Sequence, residues 1–379
     1  MKCDFEQICG GCPLRHLTEN EYRQNKSARF SQLLKAINQP NISLGEPVFI
    51  ADGNRRRAEL TFSYKKGLLT LGFNAAQSHE IVNITTCPAL TPKLNAVLPQ
   101  IRTFLSDFCA IKTTVKVKNK LQTQQITGGE IWLTEADNGI DVLLEIDTPL
   151  ALEHRLLISE FTQNTAEVIR FSCGKKYSSP ETVAQKTAPQ INIGGRTVFI
   201  PAGTFLQPSK AGEQALIDLV MRYVGSTVGN IADLFCGIGT FSYPLSINIK
   251  NKITAVDSST ELLAGFQKTV NALSIPNIKI EQKNLFKYPL DELELKNFAV
   301  VVFDPPRAGA GAQTKKIAAL PHADKPQKIV AVSCNPNTFI NDANTLLAGG
   351  YHLAEITMVD QFVFSPHFEL VALFEKGEN

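Results

Sequence analysis

Long apolar runs are the first thing missing from this chain. The longest clear one, residues 298–303, falls far short of the roughly 20 residues that a membrane helix needs. No apolar signal core follows the start Met1-Lys2-Cys3-Asp4, so a cytoplasmic protein without a membrane partner is expected. Cysteine is sparse: eight in 379 residues are too few for a disulfide scaffold. No internal repeat or low-complexity tract breaks the chain, and nothing in it points to an obligate protein partner. Net charge is almost absent as well, at +2.

What is present says more. Hydrophobic residues make up 44% of the chain, which excludes a disordered polypeptide and supports a sizeable core. At about 150 residues per domain, the length suggests two or three domains. The small net charge conceals an asymmetry. Residues 1–120 hold 17 Lys and Arg against 9 Asp and Glu, whereas residues 121–379 hold 21 against 27. A basic front suggests a polyanionic partner. Cys3, Cys9 and Cys12 crowd the first dozen residues, a clustering that suggests metal rather than disulfides in a cytosolic protein.

Residues 19–37 read as an amphipathic helix, with Phe30, Leu33, Leu34 and Ile37 on one face and Pro40 beyond its end. Residues 48–146 carry strand-like stretches punctuated by Gly53, Gly67, Gly128, Gly129 and Gly139, so a predominantly β region is expected there. From about residue 211 strand-like and helical runs alternate. Strands are expected at 231–235, 253–257, 278–282, 298–303, 329–332 and 369–374, and helices at 260–272 and 339–347. This alternation implies a doubly wound parallel sheet, whose ligands sit at the carboxyl ends of the strands.

The residues just past those strands carry the chemistry. After the first come Asp233 and the turn Phe235-Cys236-Gly237-Ile238-Gly239-Thr240. Two glycines let the backbone turn tightly and a ligand approach closely, but Ser242 replaces the third glycine of a dinucleotide fingerprint. Asp257 ends the second strand, where an acid can accept hydrogen bonds from both ribose hydroxyls. Asn284 follows the third and is placed to meet an adenine edge. Asp304-Pro305-Pro306-Arg307 follows the fourth, with prolines that cannot continue the sheet. After the fifth stands Ser333-Cys334-Asn335-Pro336. Asn335 can cap a helix and Pro336 suits its first position, so the helix N-terminus is expected to favour a Cys334 thiolate. Glu369 faces an otherwise apolar run and could act as a general base. A nucleoside cofactor, a thiolate and a carboxylate base together suit methylation of a pyrimidine at C5. Thiolate addition at C6 makes C5 nucleophilic, and a base later removes the C5 proton.

The ordered motifs DLFCGIGTF, DPPR, SCNPNT, PHFEL and FLQPS, the last at 205–209, resemble those of the RNA uracil-5 methyltransferases over nearly the whole chain. The resemblance implies a Rossmann-like domain dependent on S-adenosylmethionine (SAM) at 206–379 and an N-terminal β-rich RNA-binding region at 1–205. It also implies that helix 19–37 packs on the catalytic domain. Cys334 would be the nucleophile and Glu369 the base. Gln207, Phe235, Gly237, Thr240, Asp257, Asn284 and Asp304 would contact the cofactor. Two departures stand out: the family usually has Glu at position 257, and Tyr rather than Ala331 in the stretch before the nucleophile.

Cys3, Cys9, Cys12 and Cys87 look like the four-cysteine [4Fe–4S] site of the family's bacterial rRNA branch, with zinc as the other metal four thiolates suit. Cys109, Cys173 and Cys236 are read as packing residues. Because the cysteines begin at residue 3, with no TRAM domain ahead of them, the chain is similar to the short 23S rRNA uracil-5 methyltransferases; relatives of the same short plan act on tRNA. Arg55, Arg56 and Arg57 are expected to contact RNA phosphates, and Phe205 to stack on a flipped uracil or pack in the core. Two other readings compete. An adenine or guanine N-methyltransferase would need an aromatic where Arg307 stands, and a non-catalytic iron–sulfur RNA-binding factor would have no use for the reacting groups.

Overall fold

A computed structural model describes residues 3–117, 120–176 and 178–378. The chain forms two units, each built from separate segments. The first comprises Met1–His16, Ala51–Ile191 and Phe199–Ser209; the second comprises Leu17–Ile50, Asn192–Val198 and Lys210–Asn379.

In the first unit seven strands form one sheet. Their order is Glu181–Gln185, Val168–Gly174, Gly139–Glu145, Gly128–Ala136, Arg57–Lys65, Leu68–Asn74 and Ile81–Asn83. Alternation sets the faces: along Arg57–Lys65, Ala58, Leu60 and Phe62 are buried while Glu59 is exposed. Lys66 and Gly67 both take positive φ, at 52° and 80°, which matches the tight hairpin between that strand and Leu68–Asn74. One pair is parallel, Gly139–Glu145 with Val168–Gly174, and helix Leu152–Asn164 makes the crossover this requires. Helix Pro92–Ala110 lays Leu94, Leu98, Ile101 and Leu105 into the core at helical spacing.

The expected iron–sulfur site is overturned here. Among the described residues no group of three or more His, Cys, Asp or Glu side chains is arranged to hold a metal ion. Cys3, Cys9, Cys12 and Cys87 are free thiols, and the last three have contacts of other kinds. The Cys9 Sγ accepts the Gly11 N–H at 3.5 Å, and the Cys12 Sγ accepts from the Arg15 guanidinium at 3.8 Å. Cys9 and Cys87 pack against the apolar cluster, and burial pushes the Cys87 thiol up to about 11. Neither a [4Fe–4S] cluster nor zinc fits these residues, so the fold is a Rossmann-like unit with a β-rich companion and no metal centre among the described residues. Clustering in sequence does not separate metal ligands from thiols that pack.

The second unit carries a nine-stranded sheet. Its main order is Ser43–Leu44, Tyr351–Asp360, Glu369–Lys376, Lys328–Ser333, Val300–Phe303, Asn230–Leu234, Lys252–Asp257 and Ile278–Gln282, with Val48–Phe49 also paired to Tyr351–Asp360. The five strands between residues 230 and 333 are mutually parallel, and Glu369–Lys376 runs antiparallel to both neighbours. Val300–Phe303 is buried along its whole length, as a central strand covered on both faces must be. Helix Glu19–Leu34 starts with a capping box between Thr18 and Glu21. It joins this unit's core through Phe30 and Leu33, together with Ile37 beyond its end. Strand Tyr351–Asp360 had no counterpart in the sequence reading.

Candidate active site

The five parallel strands between residues 230 and 333 end on one edge of the sheet, and the sequence-selected residues lie at or just past their ends. Beyond Asn230–Leu234 the chain turns at Phe235, Gly237 and Gly239, all at positive φ. At Gly239 an added Cβ would lie 2.4 Å from the Phe266 ring, so only glycine lets the turn seat on helix Thr260–Ala272. Gly237 differs: nothing lies within 4 Å of where its Cβ would be, and the turn opens there onto free space. Its N–H donates to Asp257 Oδ2 at 3.0 Å, while Asp257 Oδ1 accepts from the Ser259 N–H at 2.9 Å. Asp257 therefore holds the turn and the next helix entrance together. The N-cap itself is Ser259. Thr240 is half-buried in the same turn. The Asn284 side-chain oxygen accepts from the Phe286 and Lys287 N–H groups at 3.1 and 3.2 Å, making it a turn former. An open glycine turn, an acid beside it and the Phe235–Phe286 ring pair, centroids 5.4 Å apart, fit a nucleoside.

Ser242 takes up the place of the missing third glycine with a purpose. Its hydroxyl donates to the fully buried Asp233 at 2.5 Å, and burial raises Asp233 to about 7. Asp304 follows Val300–Phe303 and is likewise raised to about 7 by desolvation. The loop it begins is pinned to helix Pro336–Ala348. The Asn335 amide donates to the Arg307 carbonyl at 2.8 Å, and Asp342 accepts the Ala310 N–H at 2.8 Å.

Cys334 follows Lys328–Ser333 directly, and Asn335 caps the helix by accepting the Asn337 N–H, with Pro336 in its first turn. The thiol is nonetheless not driven toward thiolate. Desolvation pushes it up to about 11, the charges of Glu369 and Asp304 add to that, and Arg307 opposes it. Two carboxylates and burial outweigh a helix end, which corrects the expectation of a favoured thiolate. Glu369 is buried at the start of its strand. Its Oε1 accepts from the Gln361 amide at 3.3 Å, and its Oε2 is buried without a hydrogen-bond partner among the described residues. Desolvation, with the neighbouring Asp304 charge, raises Glu369 to about 8. Cys334, Glu369, Asp304 and Arg307 thus share one electrostatic neighbourhood. Sequence reasoning missed Arg307 and Gln361 as parts of it; the polar side chains flanking DPP and preceding PHFEL were the available signal.

The remaining candidates lie in the first unit. Arg56 is buried and its Nε donates to the Gln207 carbonyl at 2.9 Å. Arg57 donates to the Leu206 carbonyl at 3.0 Å and lies 4.6 Å from the centre of the Phe205 ring. Two of the three arginines therefore fasten the 205–209 segment, and Arg55 stays exposed. Gln207 is buried, whereas the Phe205 ring is 62% exposed and faces solvent rather than a core.

Comparison with known proteins supplies independent findings. A profile of the family described as tRNA (Uracil-5-)-methyltransferase matches residues 18–377. A protein of Agrobacterium fabrum described as an uncharacterized RNA methyltransferase is 35% identical over 375 residues, 97% of this chain and 82% of that one. The 23S rRNA (uracil(1939)-C(5))-methyltransferase of Edwardsiella ictaluri is 29% identical over 384 residues, 99% of this chain and 82% of that one. Among solved structures, the Pyrococcus abyssi tRNA (uracil-54, C5)-methyltransferase in complex with S-adenosyl-L-homocysteine aligns with a TM-score of 0.70 at 21% identity. The alignment covers 96% of this chain and 85% of that one and shows a shared fold.

Proposed function

The chain belongs to the tRNA (uracil-5-)-methyltransferase family, and from that membership we propose that it methylates C5 of a uridine in tRNA. The observation that carries the reading is Cys334 at a strand end, in one field with buried Glu369 and on the same sheet edge as the open glycine turn. Phe235, Gly237, Thr240, Asp257, Asn284 and Asp304 would hold SAM, which would supply an electrophilic methyl group.

The chain's own residues do the rest. The Cys334 thiol gives its proton to solvent water and Sγ adds to C6 of the uracil, which moves the C5=C6 pair to C5 and makes that carbon the nucleophile. Once C5 carries the methyl group, Glu369 in its ionised form takes the C5 proton. The C5–H pair restores the C5=C6 bond and Sγ leaves as thiolate. A carboxyl raised to about 8 is a stronger proton acceptor than an ordinary carboxylate, so the burial that hinders the thiolate also prepares the base. In the first unit, exposed Arg55 suits a phosphate and exposed Phe205 suits a base face.

The family description and the Pyrococcus abyssi neighbour, itself a tRNA enzyme, support tRNA as substrate. The Edwardsiella relative supports a second reading, the same reaction on 23S rRNA. The test is methyl transfer from labelled SAM to unmodified tRNA and unmodified 23S rRNA, followed by nucleoside analysis. The expected result is 5-methyluridine in tRNA, lost in Cys334→Ala. Product in rRNA alone selects the second reading. Undiminished product from Cys334→Ala overturns the mechanism.

A further inference from the structure

Helix Glu19–Leu34 reaches the reactive end of its own unit through two buried side chains. Lys26 is 0% exposed, and its Nζ donates to Asp360 Oδ1 at 2.7 Å and to the His367 carbonyl. It also lies 6.0 Å from the centre of the Phe368 ring. The Tyr22 hydroxyl donates to the other Asp360 oxygen and accepts the Phe364 N–H at 3.0 Å. Asp360 closes strand Tyr351–Asp360, and His367 and Phe368 immediately precede strand Glu369–Lys376. The connection over residues 361–368 is therefore gripped at both ends and near its middle. Flanking that grip are Gln361 and Glu369, bonded to each other at 3.3 Å.

Holding a helix against a sheet does not require this arrangement. Two buried charges lose hydration, and an apolar pair of similar volume often holds as well or better. What the ion pair and its added hydrogen bonds supply is direction, because each donor fixes one acceptor. We infer that Lys26, with Tyr22 and Asp360, is a positioning device for Glu369, setting the 361–368 backbone so that the carboxylate meets the C5 proton. The inference rests on the reading of Glu369 as the base. Its step is the elimination: Glu369 gains the proton, the C5–H pair becomes the C5=C6 bond, and the C6–S pair departs on Cys334. Loosening the grip leaves addition and methylation in place and slows release, so methylated RNA stays bonded to the enzyme.

The test uses the full chain, labelled SAM and unmodified tRNA, or 23S rRNA if that is the RNA that accepts label. Label is resolved into a denaturation-resistant protein–RNA adduct and free RNA. In Lys26→Met the ratio of adduct to free product is expected to rise about tenfold to a hundredfold, the range that small misplacements of reacting groups produce. A smaller rise is expected in Tyr22→Phe, and Lys26→Arg is expected to recover part of the release rate. Glu369→Gln is the reference and should raise the ratio furthest. If Glu369→Gln raises it while folded Lys26→Met and Tyr22→Phe keep the wild-type ratio, the positioning inference is overturned and the base reading stands. If Glu369→Gln does not raise it, both fall. Should Lys26→Met fail to fold, Tyr22→Phe decides alone.

Discussion

The two ends of the strand-end row in the second unit treat their carboxylates in opposite ways. At the nucleoside end, Asp257 accepts two backbone N–H groups, from Gly237 and Ser259, and stays half-exposed. At the reactive end, Glu369 accepts one side-chain amide, is buried, and is raised to about 8. The first arrangement fixes the carboxylate in place with its remaining lone pairs turned to the open turn, where hydroxyls can be bound. The second withholds stabilisation and so readies a group to carry a proton. One sheet edge thus provides a binding end and a proton-handling end, separated by how many donors each acid is given.

The contrast can be broken most severely at the thiol. Cys334→Ala is expected to lower methyl transfer by at least about a thousandfold, as loss of a covalent nucleophile does. Affinity for S-adenosylhomocysteine, measured by calorimetry, should change little, since the alteration lies at the other end.

Stability against pH sharpens the same comparison. Glu369 keeps its proton in the native state up to about 8 but loses it near 4.5 when unfolded. Across that window the native state binds more protons, so this group's contribution is present below 4.5 and fades as pH rises toward 8. Glu369→Gln is expected to flatten the decline, leaving the variant more stable than the wild type at pH 9 and closer to it at pH 5 in urea unfolding. An equal difference at both pH values would contradict the assignment.

A smaller effect is expected at the binding end. Asp257→Ala removes a charged acceptor worth about 1.5–3 kcal/mol, so cofactor affinity should fall about tenfold to a hundredfold. The rate at saturating SAM should fall much less, which steady-state kinetics can separate. Smallest is Asn335→Ala, which removes a helix cap and the tie to the Arg307 carbonyl. A loss of about 1 kcal/mol in denaturant unfolding is expected.

Much of this sheet was legible in the sequence. Buried runs such as Val300–Phe303 and the alternation with helices announced the doubly wound order, and the punctuation after each strand located the turn at Gly237, the DPP loop and the Asn335 cap. What was not legible depends on residues far apart in the chain. The Cys334 thiol is set by Asp304 and by Glu369, which arrives on an antiparallel strand, so local helix-end reasoning gave the wrong direction. Arg56 and Arg57 read as a surface basic run, yet their partners are carbonyls at Gln207 and Leu206. Lys26 sits in a helix of polar composition, and only Asp360 explains its burial. The cysteine cluster carried a family pattern that the side-chain arrangement does not support.

The pairing of an early helix with a late strand also has a temporal consequence. Lys26 and Asp360 are 334 residues apart. At a synthesis rate of about 5–20 residues per second, roughly 20 to 70 s separate the emergence of the one from that of the other. During that interval Tyr22 and Lys26 lack their Asp360 partner, and Phe30 lacks the Phe368 ring it meets edge-on. Helix Glu19–Leu34 is thus made long before the strand end that supplies the partner of its Lys26, and this contact closes only after nearly the whole second unit has been synthesised.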